Sequence, residues 1–253
     1  MAPGIAQAVR PICSSLYASL YRDTRAGAYI TEDDKAKIQA INESTQYDSR
    51  KKAQLVFNQV LDARLRNADP AVAAHVNKVR EQVTRTIGAD INGEYSIITR
   101  HAEVIVPDYL AESSVEYMVK IHELEHAYQD KFLRSHGRLF LEFGTKKKML
   151  LESDAMALEW NYIRQIPVKE REKLIELIQA DTKMTGGKLS LIAALKNADH
   201  SFQQFVDGER ALGRYDNVSI AAENKVMVEL VGGIIAAWII GRYHPIHIIK
   251  PAN

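Results

Sequence analysis

Apolar residues recur at helical spacing along most of this chain, and the breaks between the runs carry recognisable helix signals. Thr31 stands as an N-cap before Glu32, Asp33 and Asp34, acids that suit the positive end of a helix. Asp48 or Ser49 opens a second helix that runs to about Arg66. Pro70 fits the first turn of a third, in which Val72, Val76, Val79 and Val83 share a face before Gly88 stops it. The pattern changes after Asp90-Ile91-Asn92-Gly93, where 95–100 and 102–106 are rich in β-formers, partly alternating and closed by Pro107. These residues predict a small sheet. Ser113, followed by Glu116, is a capping-box pair that opens a helix over 115–132.

Beyond Gly137 and Gly144 the spacing predicts a helix over 148–166, ended by Pro167, and helical segments near 169–181, 189–213 and 219–240, with Gly186-Gly187 as a break. No repeat of fixed period is present. The expected fold class is α+β and predominantly helical, with a small β-sheet preceding the helix at 115–132. A helical N-terminal region over 1–90 is expected to pack on a core over 91–253 whose C-terminal part is helical, as one compact unit.

With 253 residues, 46% hydrophobic and 26% charged, the chain is long enough to bury a sizeable core. The balance of 33 basic against 32 acidic residues lacks the electrostatic signature of a nucleic-acid binder, and Lys146-Lys147-Lys148 reads as a solvated loop. Cys13 is alone, so no internal disulfide forms. Pro3, Gly4, Gln7 and Arg10 interrupt any signal-peptide run, and Pro3 with Pro11 argues against an amphipathic presequence. The apolar stretch over 230–241, closed by Glu229 and Arg242, is shorter than the roughly 18 residues of a membrane span and reads as a buried helix. The expected location is cytoplasmic, or exported without a Sec signal peptide, with no stable membrane insertion and no oligomeric state set by composition. Gly186-Gly187-Lys188 is no phosphate loop, because Thr182 stands where the first glycine belongs and Leu189 where Ser or Thr is needed.

The chemistry lies in His122-Glu123-Leu124-Glu125-His126, a match to H-E-x-x-H on the helix at 115–132. An i, i+4 spacing puts both imidazoles on one face, close enough to share an ion, with Glu123 beside them. Zinc held by two neutral imidazoles and a third ligand keeps a position for water and lowers its pKa towards about 7, and Glu123 would take the proton. Chance alone gives the pattern in roughly one or two of a hundred chains of this length, and its place on a capped helix after a β-rich pair sharpens it.

The third ligand must come from elsewhere. An H-E-x-x-H-x-x-G-x-x-H continuation fails, with Gln129 and Phe132 at the positions needing glycine and histidine. Glu152 is the best candidate: Leu150 and Leu151 precede it and Ala155 follows, so its face packs against a neighbour, where a carboxylate needs a partner. Glu159, Glu142, Asp154 and His136 are the alternatives. A donor for the tetrahedral oxyanion is also required, with Tyr215 and His244 ahead of His200, Arg214 and Tyr243.

Over roughly 95–166 the sequence resembles the zincin metallopeptidases, and among them the gluzincins, whose third ligand is a glutamate on a helix following the H-E-x-x-H helix. The resemblance implies that His122, His126 and Glu152 bind zinc and that Glu123 is general base and then proton donor. It also implies that a strand before the motif helix lines the substrate cleft, here Ala102, Glu103, Val104 and Ile105, with an extended peptide or protein substrate pairing alongside. Several gluzincin families carry an aspartate four residues after the glutamate to orient a ligand histidine; that position is Met156, and Asp154 points elsewhere. The implied function is zinc-dependent peptide-bond hydrolysis. The alternative is a non-catalytic, zinc-stabilised helical protein that binds a partner.

Overall fold

The computed structural model describes residues 30–135 and 145–205, apart from 203, and all of them belong to one unit, Met1–Leu212. Helix α1 (Glu32–Glu43) begins with a capping box in which the hydroxyl of Thr31 accepts from Asp34 N and the Asp34 carboxylate accepts from Thr31 N. Helix α2 (Ser49–Leu65) is capped by Asp48 rather than Ser49, its carboxylate accepting from Lys51 N at 2.7 Å. Helix α3 (Pro70–Gln82) starts at the proline and buries Val72, Val76 and Val79.

That third helix stops short of its expected end. Residues Thr84–Ile87 form strand β1 instead, because Val83, Thr84, Thr86 and Ile87 are β-branched and lose side-chain freedom against a helical turn. Strand β2 (Asn92–Ser96) ends before the expected 100, since Ile97, Ile98, Thr99 and Arg100 form a turn with Arg100 at φ 56°. Strand β3 (His101–Val106) alternates, with Ala102, Val104 and Val106 fully buried. The sheet order is β1-β3-β2, parallel between β1 and β3 and antiparallel between β2 and β3, with Gly93 opposite Val104. Since β1 belongs to 1–90 and β3 to the expected core, the sheet crosses the expected boundary.

A short 3-10 turn, Asp108–Leu110, leads to the motif helix α4 (Ser114–Ser135). Its capping pair is offset by one: Ser113 Oγ accepts from Val115 N at 3.2 Å and the Glu116 carboxylate accepts from Glu112 N at 2.7 Å. From Ser114 to Asp130 every residue of α4 except Lys120 is buried. Helices α2, α3 and α5 (Thr145–Ile163) pack against α4 on its sides and strands β2 and β3 across its remaining face. A helix buried all round must find a partner for each polar side chain, and this one carries seven between Glu116 and Asp130: Glu116, His122, Glu123, Glu125, His126, Gln129 and Asp130.

Lys146, Lys147 and Lys148 stand in the first turn of α5 rather than in a loop. After Pro167 come α6 (Val168–Gln179) and α7 (Gly186–Lys196). The glycine pair opens α7 instead of breaking it, with Thr185 as N-cap; a Cβ on Gly187 would collide with the Ile91 carbonyl and meet Asp90 Oδ1 at 2.6 Å. Lys188 is fully buried and donates to Asp181 Oδ2 at 2.6 Å and the Lys183 carbonyl at 2.8 Å, a structural role that agrees with rejecting a phosphate loop. Helix α7 ends at Lys196, well short of 213. The segments expected at 219–240 and 230–241 lie outside the described residues. Among the described residues no helix is long and apolar enough to cross a membrane.

Candidate metal centre

Two helices bring the donors together. His122 and His126 project from one face of α4 with ring centroids 5.0 Å apart and nearly perpendicular. Glu152, from α5, points between them: its Oε2 lies 3.4 Å from His122 Nε2 and 3.5 Å from His126 Nε2. One donor atom from each of the three lies within 4.8 Å of the other two, the one such group among the described residues. Tetrahedral zinc with bonds of about 2.0–2.1 Å sets its ligand atoms about 3.3–3.4 Å apart, so the carboxylate-to-imidazole spacings fit without rearrangement.

The far side of each imidazole is also held. His122 Nδ1 lies 2.9 Å from Glu159 Oε2, and His126 Nδ1 lies 2.9 Å from Gln129 Oε1. The acid that meets a motif imidazole therefore stands at Glu159, two helical turns after Glu152 and on the same face, and not four residues after it, where Met156 is buried. Glu159, an alternative third ligand in the sequence, occupies this supporting place instead. Asp154 is buried but outside the donor group.

Burial alone would pull the His122 imidazole down, yet the Glu152 and Glu159 carboxylates outweigh it and push its pKa up to about 10. His126 is raised in the same way, chiefly by Glu152 against burial. Glu152 is held well below the usual carboxylate range, because the two imidazoles overcome the effect of its own burial. Such a cluster favours positive charge at its centre, supplied either by protons on the rings or by a cation between them. The imidazole side chains are 9% and 10% exposed and that of Glu152 27%, so access is from the carboxylate side.

Glu123 is buried beside the pair and faces β2. A Cβ on Gly93 would lie 2.5 Å from Glu123 Oε1, 2.7 Å from its Cγ and 2.7 Å from Val119 Cγ1, so only glycine lets the strand backbone rest against this carboxylate. The residue between the motif's chemical groups, Glu125, turns instead towards α2, where Arg64 grips it through Nε at 2.9 Å and a terminal nitrogen at 2.7 Å while stacking 3.9 Å over the Tyr128 ring.

The substrate strand is corrected. Strand β3 lies in the middle of the sheet, paired by β1 on one side and β2 on the other, so Ala102, Glu103, Val104 and Ile105 have no open edge for a peptide. Ala102 and Val104 point into the core, and Glu103 accepts from the Thr86 hydroxyl at 2.5 Å. His200 is described and exposed. Tyr215, His244, Arg214, Tyr243, Glu142 and His136 lie outside the described residues. Gln129, Arg64 and Gly93 escaped the sequence reading; an i+3 glutamine behind a motif histidine and a glycine inside a strand were the available signals. No protein-family model, no curated protein and no solved structure matches the chain.

Proposed function

We propose that this chain is a zinc-dependent peptidase of gluzincin type, with His122, His126 and Glu152 holding the ion. The observation that carries the reading is the convergence of three donor atoms of zinc-binding chemistry within 4.8 Å of one another, the carboxylate 3.4 and 3.5 Å from the two imidazoles, beside the H-E-x-x-H glutamate. When bound, the ion polarises a substrate carbonyl and acidifies water. Glu123 is the general base: it takes the proton from the attacking water and returns it to the leaving amine. Glu159 and Gln129 hold the rings so that both Nε2 atoms face Glu152.

The strand that receives the peptide is β2. Its one strand partner among the described residues is β3, so it stands at the edge of the sheet, and Gly93 puts its backbone against Glu123. An extended peptide added to this edge passes over the general base. Among the described residues three protein donors converge, a number that leaves one tetrahedral position for water and favours catalysis over the purely structural zinc of the alternative reading, where four protein ligands are the rule.

The test is elemental analysis of the purified chain beside a His122→Ala/His126→Ala variant, with Glu123→Gln assayed on a peptide library. About one zinc per chain is expected, lost in the double variant. Glu123→Gln should keep its zinc and lose about 10²–10⁴-fold in turnover. A chain that binds no zinc overturns the proposal, and one that unfolds on chelation and cleaves nothing supports the structural alternative.

A further inference from the structure

Gln129 sits between two of the three donors. It is fully buried; its Oε1 lies 2.9 Å from His126 Nδ1, and its Nε2 donates to the Leu151 carbonyl at 2.9 Å. These partners fix the orientation of the amide, because a backbone carbonyl only accepts, so the nitrogen faces Leu151 and the oxygen faces the ring. An amide oxygen likewise only accepts. His126 must therefore carry a proton on Nδ1, and in its neutral form it turns a lone pair on Nε2 towards Glu152. Leu151 immediately precedes Glu152, so the amide that sets the His126 tautomer also pins the turn of α5 that presents the third donor.

We infer that Gln129 is a positioning residue that couples the second histidine to the third ligand, making the His126 ring state and the placement of Glu152 one event. The inference rests on the reading of His122, His126 and Glu152 as zinc ligands. It assigns the two imidazoles different supports. Glu159 supports His122 with a carboxylate on α5, whereas Gln129 supports His126 with a neutral amide on the same helix as the ligand. The neutral group matters, because Glu123, Glu152 and Glu159 already place three carboxylates around two imidazoles. A fourth would oppose the acidification of water that the chemistry needs.

The test uses the full chain with two substitutions. Gln129→Met keeps the length and removes both hydrogen bonds; Gln129→Glu keeps an acceptor for His126 and removes the donor to Leu151. Zinc affinity by chelator competition, imidazole ¹⁵N shifts of the zinc-loaded protein and melting of the chelated protein are read together. Gln129→Met should bind zinc about 10–100-fold more weakly and broaden or split the His126 ring signals. Gln129→Glu should keep the single ring state and still lose affinity. A merely structural role would lower the melting temperature and leave affinity unchanged, and Gln129→Met with wild-type affinity overturns the inference. Should that variant fail to fold, Gln129→Glu with unchanged affinity overturns it equally. If wild type binds zinc and His126→Ala does not, such a result removes only the role of Gln129; if wild type binds none, both readings fall.

Discussion

Two buried polar clusters flank neighbouring residues of α4, and they balance their charge differently. At Glu125 a guanidinium meets the carboxylate in a two-point grip, the arginine stacks on Tyr128, and the two charges cancel. At His122 and His126, one residue away, Glu123, Glu152 and Glu159 surround two imidazoles, and the rings are driven towards the protonated state. The first cluster has its counter-charge built in. The second gathers negative charge around a point where donor atoms converge, which is the electrostatic arrangement of a site that takes a cation. Charge thus separates scaffold from chemistry: the imidazoles are nearly as buried as the Arg64–Glu125 pair, the second cluster opens only at Glu152, and the charge sums differ.

The comparison breaks most forcefully at Arg64. Arg64→Ala leaves Glu125 buried without its guanidinium and should destabilise the fold by about 3–5 kcal/mol, whereas Arg64→Met/Glu125→Leu should recover most of that loss. Urea unfolding measures both, and zinc content per folded chain should stay the same. If Arg64→Ala instead released the zinc from protein that remained folded, the two clusters would be one unit and the distinction would fail.

Gly93 sharpens the other side. Gly93→Ala puts a methyl group against Glu123 and Val119, displacing the carboxylate rather than the donors. A shift of about 1 Å in a reacting group costs about 10²-fold, so turnover should fall by that order while zinc affinity holds, and the added methyl should lower the melting temperature through overpacking. Loss of zinc would instead show that β2 supports the donors. Unchanged turnover would remove Glu123, or its contact with β2, from the mechanism.

How much of this was legible in the sequence follows the range of the interactions. Caps and turns act over a few residues, so Thr31, Asp48, Pro70 and Ser113 marked their helices to within a residue or two, whereas the helix expected to run up to Pro167 ends at Ile163. The convergence of His122, His126 and Glu152 was also legible, because H-E-x-x-H is local and Glu152 stood on a visibly packed face. Sheet order was not: whether β3 is central or an edge depends on β1 pairing with it from the far side of a turn, and β1 itself was hidden in the valine periodicity of α3. The supports were missed for a similar reason. Glu159 reaches His122 only once α5 lies along α4, and Arg64 reaches Glu125 across 61 residues of sequence.

The smallest effect is a proton count, and it tests the charge sums directly. In the metal-free chain His122 has a pKa of about 10 against an ordinary 6.5, so its protonated form stabilises the fold fully below 6.5, and that contribution disappears as pH rises through about 10. Glu152 works in the opposite direction: its carboxylate contributes above 4.5 and loses the contribution as pH falls through its depressed value. Between those limits the cluster is held by its own protons. Zinc requires neutral imidazoles, so binding at pH 8 must expel the His122 proton together with whatever His126 retains. Calorimetry in buffers of different ionisation enthalpy should report release of about one proton or more at pH 8, falling towards none above about pH 10, with apparent affinity rising over the same interval. The Arg64–Glu125 pair does not take part, and Arg64→Met/Glu125→Leu should leave the count unchanged. Zinc uptake without proton release at pH 8 would mean that the imidazoles are already neutral, and the contrast between a balanced cluster and an acid-rich one would lose its basis.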